Sequence, residues 1–118
     1  MSEIREVATG LQFPEGPIAM PNGDVILVEI ARGTLSRVKP DGSVEVVAET
    51  GGGPNGAAIG PDGACYVCNN GGFRWHFKGD KIFPGYQDDD YSGGRIERVD
   101  LETGKVEVLY PECDSHLL

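Results

Sequence analysis

The sequence contains two copies of one unit, and this repetition constrains the fold more than any other feature. The segment from Glu15 to Val25 aligns without a gap with the segment from Asn55 to Cys65, at a constant offset of 40 positions. Self-similarity at a period of about 40 to 50 residues is typical of propellers and related arrays, in which each repeat is one supersecondary unit. We therefore expect two successive units of one repeat architecture.

The second unit carries an insertion. The segment Leu35–Val47 aligns with Ile96–Leu109, so the offset has grown there to about 61 positions and the second unit holds about 21 extra residues. We expect a first unit at about residues 10–50 and a second at about 51–112, the latter interrupted by the insertion at 73–92.

Each unit shows the pattern of a four-stranded antiparallel meander. Short runs rich in Val, Ile and Leu are separated by Pro-Asn-Gly, Pro-Asp-Gly, Asp-Gly and Thr-Gly turns, and helical periodicity is absent. The run from Asp24 to Ile30 is almost continuously apolar, as expected for a strand that stacked blades cover on both faces. The sequence predicts an all-β chain of two β-propeller blades. Because propellers typically close with four to eight blades, two blades leave two large faces open.

An excess of acidic residues argues against two classes of partner. Lys and Arg total 10 and Asp and Glu total 19, which gives a net charge of −9 and a chain that repels phosphate backbones and anionic lipid. The N-terminus has no basic stretch leading into an apolar run, and no apolar run approaches membrane-spanning length. We expect a cytoplasmic protein without nucleic-acid or membrane partners.

Two of the three cysteines have the spacing of a zinc or redox pair. Cys65 and Cys68 nevertheless lie in an apolar, strand-like run with no second Cys or His pair nearby. On a strand, side chains three positions apart point to opposite faces. We therefore expect both to be buried structural thiols, as free cysteines usually are.

Three motifs resemble one known family. Phe13–Pro17 and Gly51–Gly56, supported by Asp90–Asp100, resemble the gluconolactonase and SMP-30 family, whose members are six-bladed β-propeller lactonases. The resemblance covers most of the chain. It implies that the chain forms the first two blades of such a propeller, with one divalent cation in the central channel.

The resemblance also implies part of a metal site. Glu15 matches a glutamate that ligates the cation, and Asn55, its repeat equivalent, matches an asparagine that contacts the substrate. Hard oxygen ligands suit Ca²⁺ best, with Zn²⁺, Mg²⁺ or Mn²⁺ as alternatives. The family's other ligands and its general base belong to later blades, beyond residue 118. Some members have an arginine just before the asparagine where this chain has Pro54, so the particular lactone is not carried over.

Taken without the resemblance, both positions have ordinary interpretations. Glu15 would be a turn glutamate between Pro and Gly, and Asn55 in Pro-Asn-Gly would be a type I′ or type II turn residue, because Asn tolerates positive φ. The acidic run 88–90 lacks the spacing of a calcium-binding hand and fits a solvated loop better. His76 and His116 have no Ser or Cys nucleophile motif near them, which argues against a Ser-His-Asp hydrolase.

The insertion resembles a loop that covers the channel mouth in relatives. Four of its side chains are candidates for lining a pocket there, namely Trp75, His76, Phe83 and Tyr86.

These observations lead to one functional hypothesis and two alternatives. We expect a metal-dependent lactonase that hydrolyses a sugar lactone or related cyclic ester, with little activity as a lone monomer. The first alternative is a non-catalytic fragment that self-associates through its open blade faces, so that three copies of two blades make six. The second is a ligand-binding propeller that has kept the fold without the chemistry.

Overall fold

The computed structural model describes residues 3–87, 91, 93–113 and 116–117, and it contains no helix within them. The first half of the chain forms one antiparallel sheet in which each strand pairs with the next along the chain. This is the predicted four-stranded meander. Its strands are β1 (Pro14–Ala19), β2 (Val25–Glu29), β3 (Thr34–Val38) and β4 (Val44–Glu49).

The second half forms a second four-stranded antiparallel sheet, and the insertion forms a hairpin of its own. The remaining strands are β5 (Pro54–Ile59), β6 (Cys65–Asn69), the hairpin strands β7 (Phe73–Lys78) and β8 (Lys81–Gln87), then β9 (Arg95–Val99), β10 (Val106–Tyr110), and the short pair β11 (Glu112–Cys113) and β12 (His116–Leu117). The second sheet has the order β10-β9-β6-β5, so β6 and β9 pair directly although a hairpin separates them in sequence. The acidic run 88–90 lies outside the described residues.

The two sheets pack face to face through side chains of their central strands. In the first sheet, Ile26 and Val28 alternate with residues that point the other way, so one face of β2 is directed at the second sheet. In that sheet Cys65, Val67 and Val99 share the facing side, and all five side chains are completely buried in one cluster. The predicted all-β fold of stacked, blade-like sheets is therefore confirmed.

The N-terminal segment, residues 3–12, contacts the first sheet on its other face, which the sequence predicted to be open. The carbonyl oxygen of Val7 lies so close to Gly42 that a side chain there would collide with it, and the carbonyl oxygen of Val47 lies in the same way against Gly104. Val7 and Val47 differ by the repeat offset of 40, so the segment takes the place against the first sheet that β4 takes against the second. On this face Leu27 is only 7% exposed.

The two cysteines of the C-x-x-C pair lie in different environments. Cys65 faces the first sheet and is completely buried, and this burial raises its pKa to about 11. Cys68 points to the opposite face and is exposed. The expectation of two buried thiols is therefore wrong for Cys68, because its face of the second sheet packs against no other sheet in the described part of the chain.

Candidate functional site

Glu15 and Asn55 both lie in strands. Each is the second residue of the first strand of its sheet, β1 or β5, and neither has a positive φ. We call these two edge strands the inner strands. The turn interpretations left open by the sequence are therefore wrong for both residues. Both strands also contain a register shift at this point, between Glu15 and Ile18 in β1 and between Pro54 and Gly56 in β5. Such bulges bend a strand and redirect its side chains.

The structure brings the two strand positions together. A Cβ atom on Gly16 would lie 3.4 Å from the Cα atom of Gly56 and 3.3 Å from the backbone nitrogen of Ala57, so the backbones of β1 and β5 touch there. Gly16 and Gly56 are repeat equivalents, and each directly follows a candidate site residue. The backbones of Glu15 and Asn55 therefore both lie next to this contact between the inner strands β1 and β5.

Both candidate side chains are exposed and largely free of partners. Glu15 accepts one weak hydrogen bond through Oε2, from the backbone N–H of Gly16 at 3.3 Å, and the side chain of Asn55 has no hydrogen-bond partner within the described ranges. In the same residues no group of three or more His, Cys, Asp or Glu side chains is placed to hold a metal ion. The described chain thus offers a cation one carboxylate and one amide oxygen at this point.

A buried carboxylate fixes the segment that leads into β1. Glu29 is fully buried and accepts hydrogen bonds from the backbone N–H of Gln12 at 2.8 Å, from Nε of Arg32 at 2.7 Å and from the hydroxyl of Ser36 at 2.6 Å. Burial alone would raise the pKa of Glu29, but these hydrogen bonds and the Arg32 charge outweigh it, so the pKa is lowered. The network anchors the chain three residues before Glu15.

The second sheet anchors the start of β5 in a related way. Asn69, the repeat equivalent of Glu29, accepts a hydrogen bond from the backbone N–H of Gly53 at 2.9 Å and donates one to Glu97 at 3.1 Å. Arg95 contacts Glu97 at 3.0 Å and donates to the carbonyl of Thr50 at 2.8 Å. In this network the carboxylate belongs to Glu97 on the neighbouring strand β9, whereas in the first sheet it belongs to Glu29 on β2. Both networks hold the segment that leads into the first strand of the sheet.

Sequence reasoning missed both buried networks, although a signal was present. Glu29 and Asn69 are polar residues at repeat-equivalent positions in strands that are otherwise apolar. Buried polar groups are expected to be hydrogen-bonded, so a polar residue that recurs in a core strand indicates a structural network.

The four candidate lid residues do not converge on one pocket. Trp75 contacts the ring of Phe13, with centroids 5.2 Å apart, at the same end of β1 as Glu15. His76 pairs across the hairpin with Phe83, so by the alternation of strand side chains these two lie on the opposite face from Trp75. The side chain of Tyr86 is 86% exposed. Only Trp75 is thus tied to the candidate site.

A surface depression of about 540 Å³ lies at the other end of the first sheet. Its charged lining is already paired, because Arg37 contacts Glu45 at 2.6 Å and Asp24 at 3.6 Å, and Lys39 contacts Glu45 at 3.3 Å. These charges satisfy one another, so the depression is a poorer candidate for a cation site than the start of β1.

Two stacked four-stranded antiparallel sheets with adjoining inner strands define part of a β-propeller. The chain belongs to the SMP-30/gluconolactonase/LRE-like family, whose model matches residues 13–117. No curated protein matched the chain. The described residues contain no helix of the length and apolarity needed to cross a membrane.

Proposed function

We propose that this chain supplies the first part of the active site of a metal-dependent lactonase that acts on a sugar lactone or related cyclic ester. One observation carries the proposal, which is the contact of β1 with β5 at Gly16 and Gly56. Each glycine directly follows one of the two exposed residues, Glu15 and Asn55, that the family resemblance marks for metal and substrate.

The residues fit a hard divalent cation in kind. The Glu15 carboxylate makes no ion pair in the described part of the chain and is available as a ligand, and carboxylate and amide oxygens are the donors that Ca²⁺ prefers. A bound cation would polarise the lactone carbonyl and stabilise the negative charge that develops on its oxygen. Asn55 would orient the lactone by hydrogen bonding, and the buried networks would keep both strand starts in place.

Neither of the two candidate side chains supplies a general base that could activate water, because Glu15 would be bound to the cation and Asn55 is an amide. We therefore expect this chain to bind a cation weakly and to show little lactone hydrolysis alone. Calcium takes six to eight oxygen ligands, and the two side chains here supply only a fraction of them.

The proposal is tested by isothermal titration calorimetry of the chain with Ca²⁺, Zn²⁺, Mg²⁺ and Mn²⁺, alongside a lactone-opening assay. Removal of the Glu15 charge in Glu15→Gln should abolish the heat of binding, whereas Glu49→Gln, which alters an exposed glutamate on β4, should leave it unchanged. Equal heats for Glu15→Gln and the unmodified chain would rule out Glu15 as a ligand. If lactone opening is detected and Glu15→Gln leaves it unchanged, the mechanism is wrong.

Self-association has support from only one of the two faces. The outer face of the second sheet carries exposed Cys68, whereas the N-terminal segment contacts the outer face of the first sheet. A second copy would have to displace that segment to stack head to tail. Light scattering of the purified chain, with and without residues 1–9, measures this directly. A closed trimer requires a threefold mass, and we expect truncation to favour it.

A further inference from the structure

Phe13 has an unusual backbone conformation. Its φ is +58°, and it is the one non-glycine residue with a positive φ among the described residues. The left-handed region is unfavourable for residues with a Cβ atom, so such conformations persist only where the surrounding structure fixes them, and they cluster at functional sites.

The second sheet shows that the fold does not require a side chain at this position. The repeat equivalent of Phe13 is Gly53. The two residues accept matching backbone hydrogen bonds, from Ile30 N–H at 3.0 Å and from Asn70 N–H at 2.8 Å. Gly53 accepts this hydrogen bond without a positive φ, so the bond accounts neither for the conformation of Phe13 nor for its side chain. The phenylalanine ring at residue 13 needs a separate explanation.

The ring of Phe13 packs against the insertion hairpin. Its centroid lies 5.2 Å from that of Trp75, with a 48° angle between the planes. The ring of Phe73 also contacts Trp75, edge to face, with the centroids 6.4 Å apart. Aromatic pairs at these separations attract each other beyond their apolar burial. The cluster joins the hairpin to the chain two residues before Glu15.

We infer that Phe13 is a positioning residue that seats Trp75 beside the candidate cation site, where the Trp75 indole forms an aromatic wall for the substrate. This inference rests on the proposed function. An indole face stacks against the apolar C–H face of a ring, so the wall favours a lactone that presents such a face, as sugar lactones do. Phe13 lies two residues before Glu15 and its ring contacts Trp75. A shift of the backbone at Glu15 on cation binding would therefore move the indole through the ring of Phe13.

Trp75 is the single tryptophan of the chain, so the tryptophan fluorescence of the protein reports on the surroundings of this one indole. The experiment uses the whole chain and titrates Ca²⁺ while heat and Trp75 emission are recorded in parallel, with acrylamide quenching measured separately. The central variant is Phe13→Gly, which the positive φ favours and which should therefore fold. Phe13→Tyr retains the ring. Phe83→Ala is the matched control, an exposed aromatic on the opposite hairpin face.

In the unmodified chain the emission change should follow the calorimetric titration. Phe13→Gly should keep the heat of binding, reduce the emission change by about fivefold and raise the acrylamide quenching constant by about twofold, because the indole loses its seat. Phe13→Tyr should restore both signals, and Phe83→Ala should leave both unchanged.

An unchanged quenching constant in Phe13→Gly would overturn the inference, as would a full emission response. If the unmodified chain gives no heat with any cation, the proposed metal site fails. The quenching comparison then still decides whether Phe13 seats Trp75, so the two failures are distinguishable. Urea unfolding of each variant separates a loss of positioning from a loss of fold.

Discussion

Replacement of Glu29 by alanine removes the acceptor at the centre of the first sheet's buried network. Glu29 is fully buried and receives hydrogen bonds from Gln12, Arg32, Ser36 and Thr34, at 2.6–3.2 Å. In Glu29→Ala the hydroxyls of Thr34 and Ser36, which lie 2.9 Å apart, can pair with each other. The backbone N–H of Gln12 loses its hydrogen-bond acceptor, and the guanidinium of Arg32 loses its carboxylate partner.

The loss of stability depends on the groups that the substitution leaves without a partner. Breaking a buried charge pair by removing one partner typically costs about 3–5 kcal/mol, chiefly because the remaining charge is stranded in the interior. The side chain of Arg32 is 37% exposed and can turn to solvent, which reduces that cost. We therefore expect Glu29→Ala to lower the free energy of unfolding by about 3 kcal/mol. The melting temperature should fall by on the order of 10 °C.

Urea unfolding followed by circular dichroism measures this loss, with Glu49→Ala as the matched control. Glu49 is an exposed glutamate in the same sheet, so its removal should change the free energy of unfolding by no more than about 0.5 kcal/mol. Equal effects of the two substitutions would refute the buried network.

The second sheet supplies a rescue experiment. There an asparagine and a glutamate occupy the positions equivalent to Glu29 and Ser36, and they are Asn69 and Glu97. The double variant Glu29→Asn with Ser36→Glu should therefore be more stable than Glu29→Asn alone. A double variant that is less stable would show that the two networks are not interchangeable.

Three further predictions use the same unfolding and labelling assays. Gly16→Ala should destabilise the chain by about 1–2 kcal/mol more than Gly63→Ala, since both glycines have positive φ but only Gly16 abuts another strand; equal losses would contradict the contact of β1 with β5. Because the pKa of Glu29 is lowered in the folded state, its stabilisation is complete above its ordinary value of 4.5 and is lost as the pH falls below it. Glu29→Gln should therefore lose less stability on acidification from pH 5 to lower pH, and a parallel loss would argue against the network. At pH 8, iodoacetamide followed by peptide mapping should modify Cys68 well before Cys65, whose pKa is about 11; similar rates would contradict the burial of Cys65.

The repeat made much of the fold predictable. A constant offset of 40 positions aligned Glu15–Val25 with Asn55–Cys65, and turn residues marked the ends of the strands. Both features depend on local chemistry, which a single sequence carries. The insertion was located because it changes the offset.

Other features depend on contacts that no local pattern states. The N-terminal segment contacts the first sheet, yet its likeness to β4 lies only in a short match of Ile4–Ala8 with Val44–Ala48. Trp75, His76 and Phe83 look equivalent as aromatic side chains of one insertion, and only the hairpin register separates their faces. The positive φ of Phe13 cannot be read from a Phe-Pro dipeptide, and its contacts are with Ile30 and Trp75, which are distant in sequence.

The candidate site could be proposed from the sequence as two positions but not as a complete metal centre. Glu15 and Asn55 were proposed because repeat equivalence and family resemblance agree on them. Their proximity depends on the packing of Gly16 against Gly56, which sequence spacing does not show.

Paramagnetic broadening by Mn²⁺ in a backbone amide NMR spectrum tests most directly whether residues 15 and 55 face one ion. We predict that substoichiometric Mn²⁺ first broadens the amides of Gly16 and Gly56 together, and that Glu15→Gln removes both effects. Broadening centred instead on the acidic turn at Asp62, or at Gly16 without Gly56, would contradict a shared site between the two inner strands.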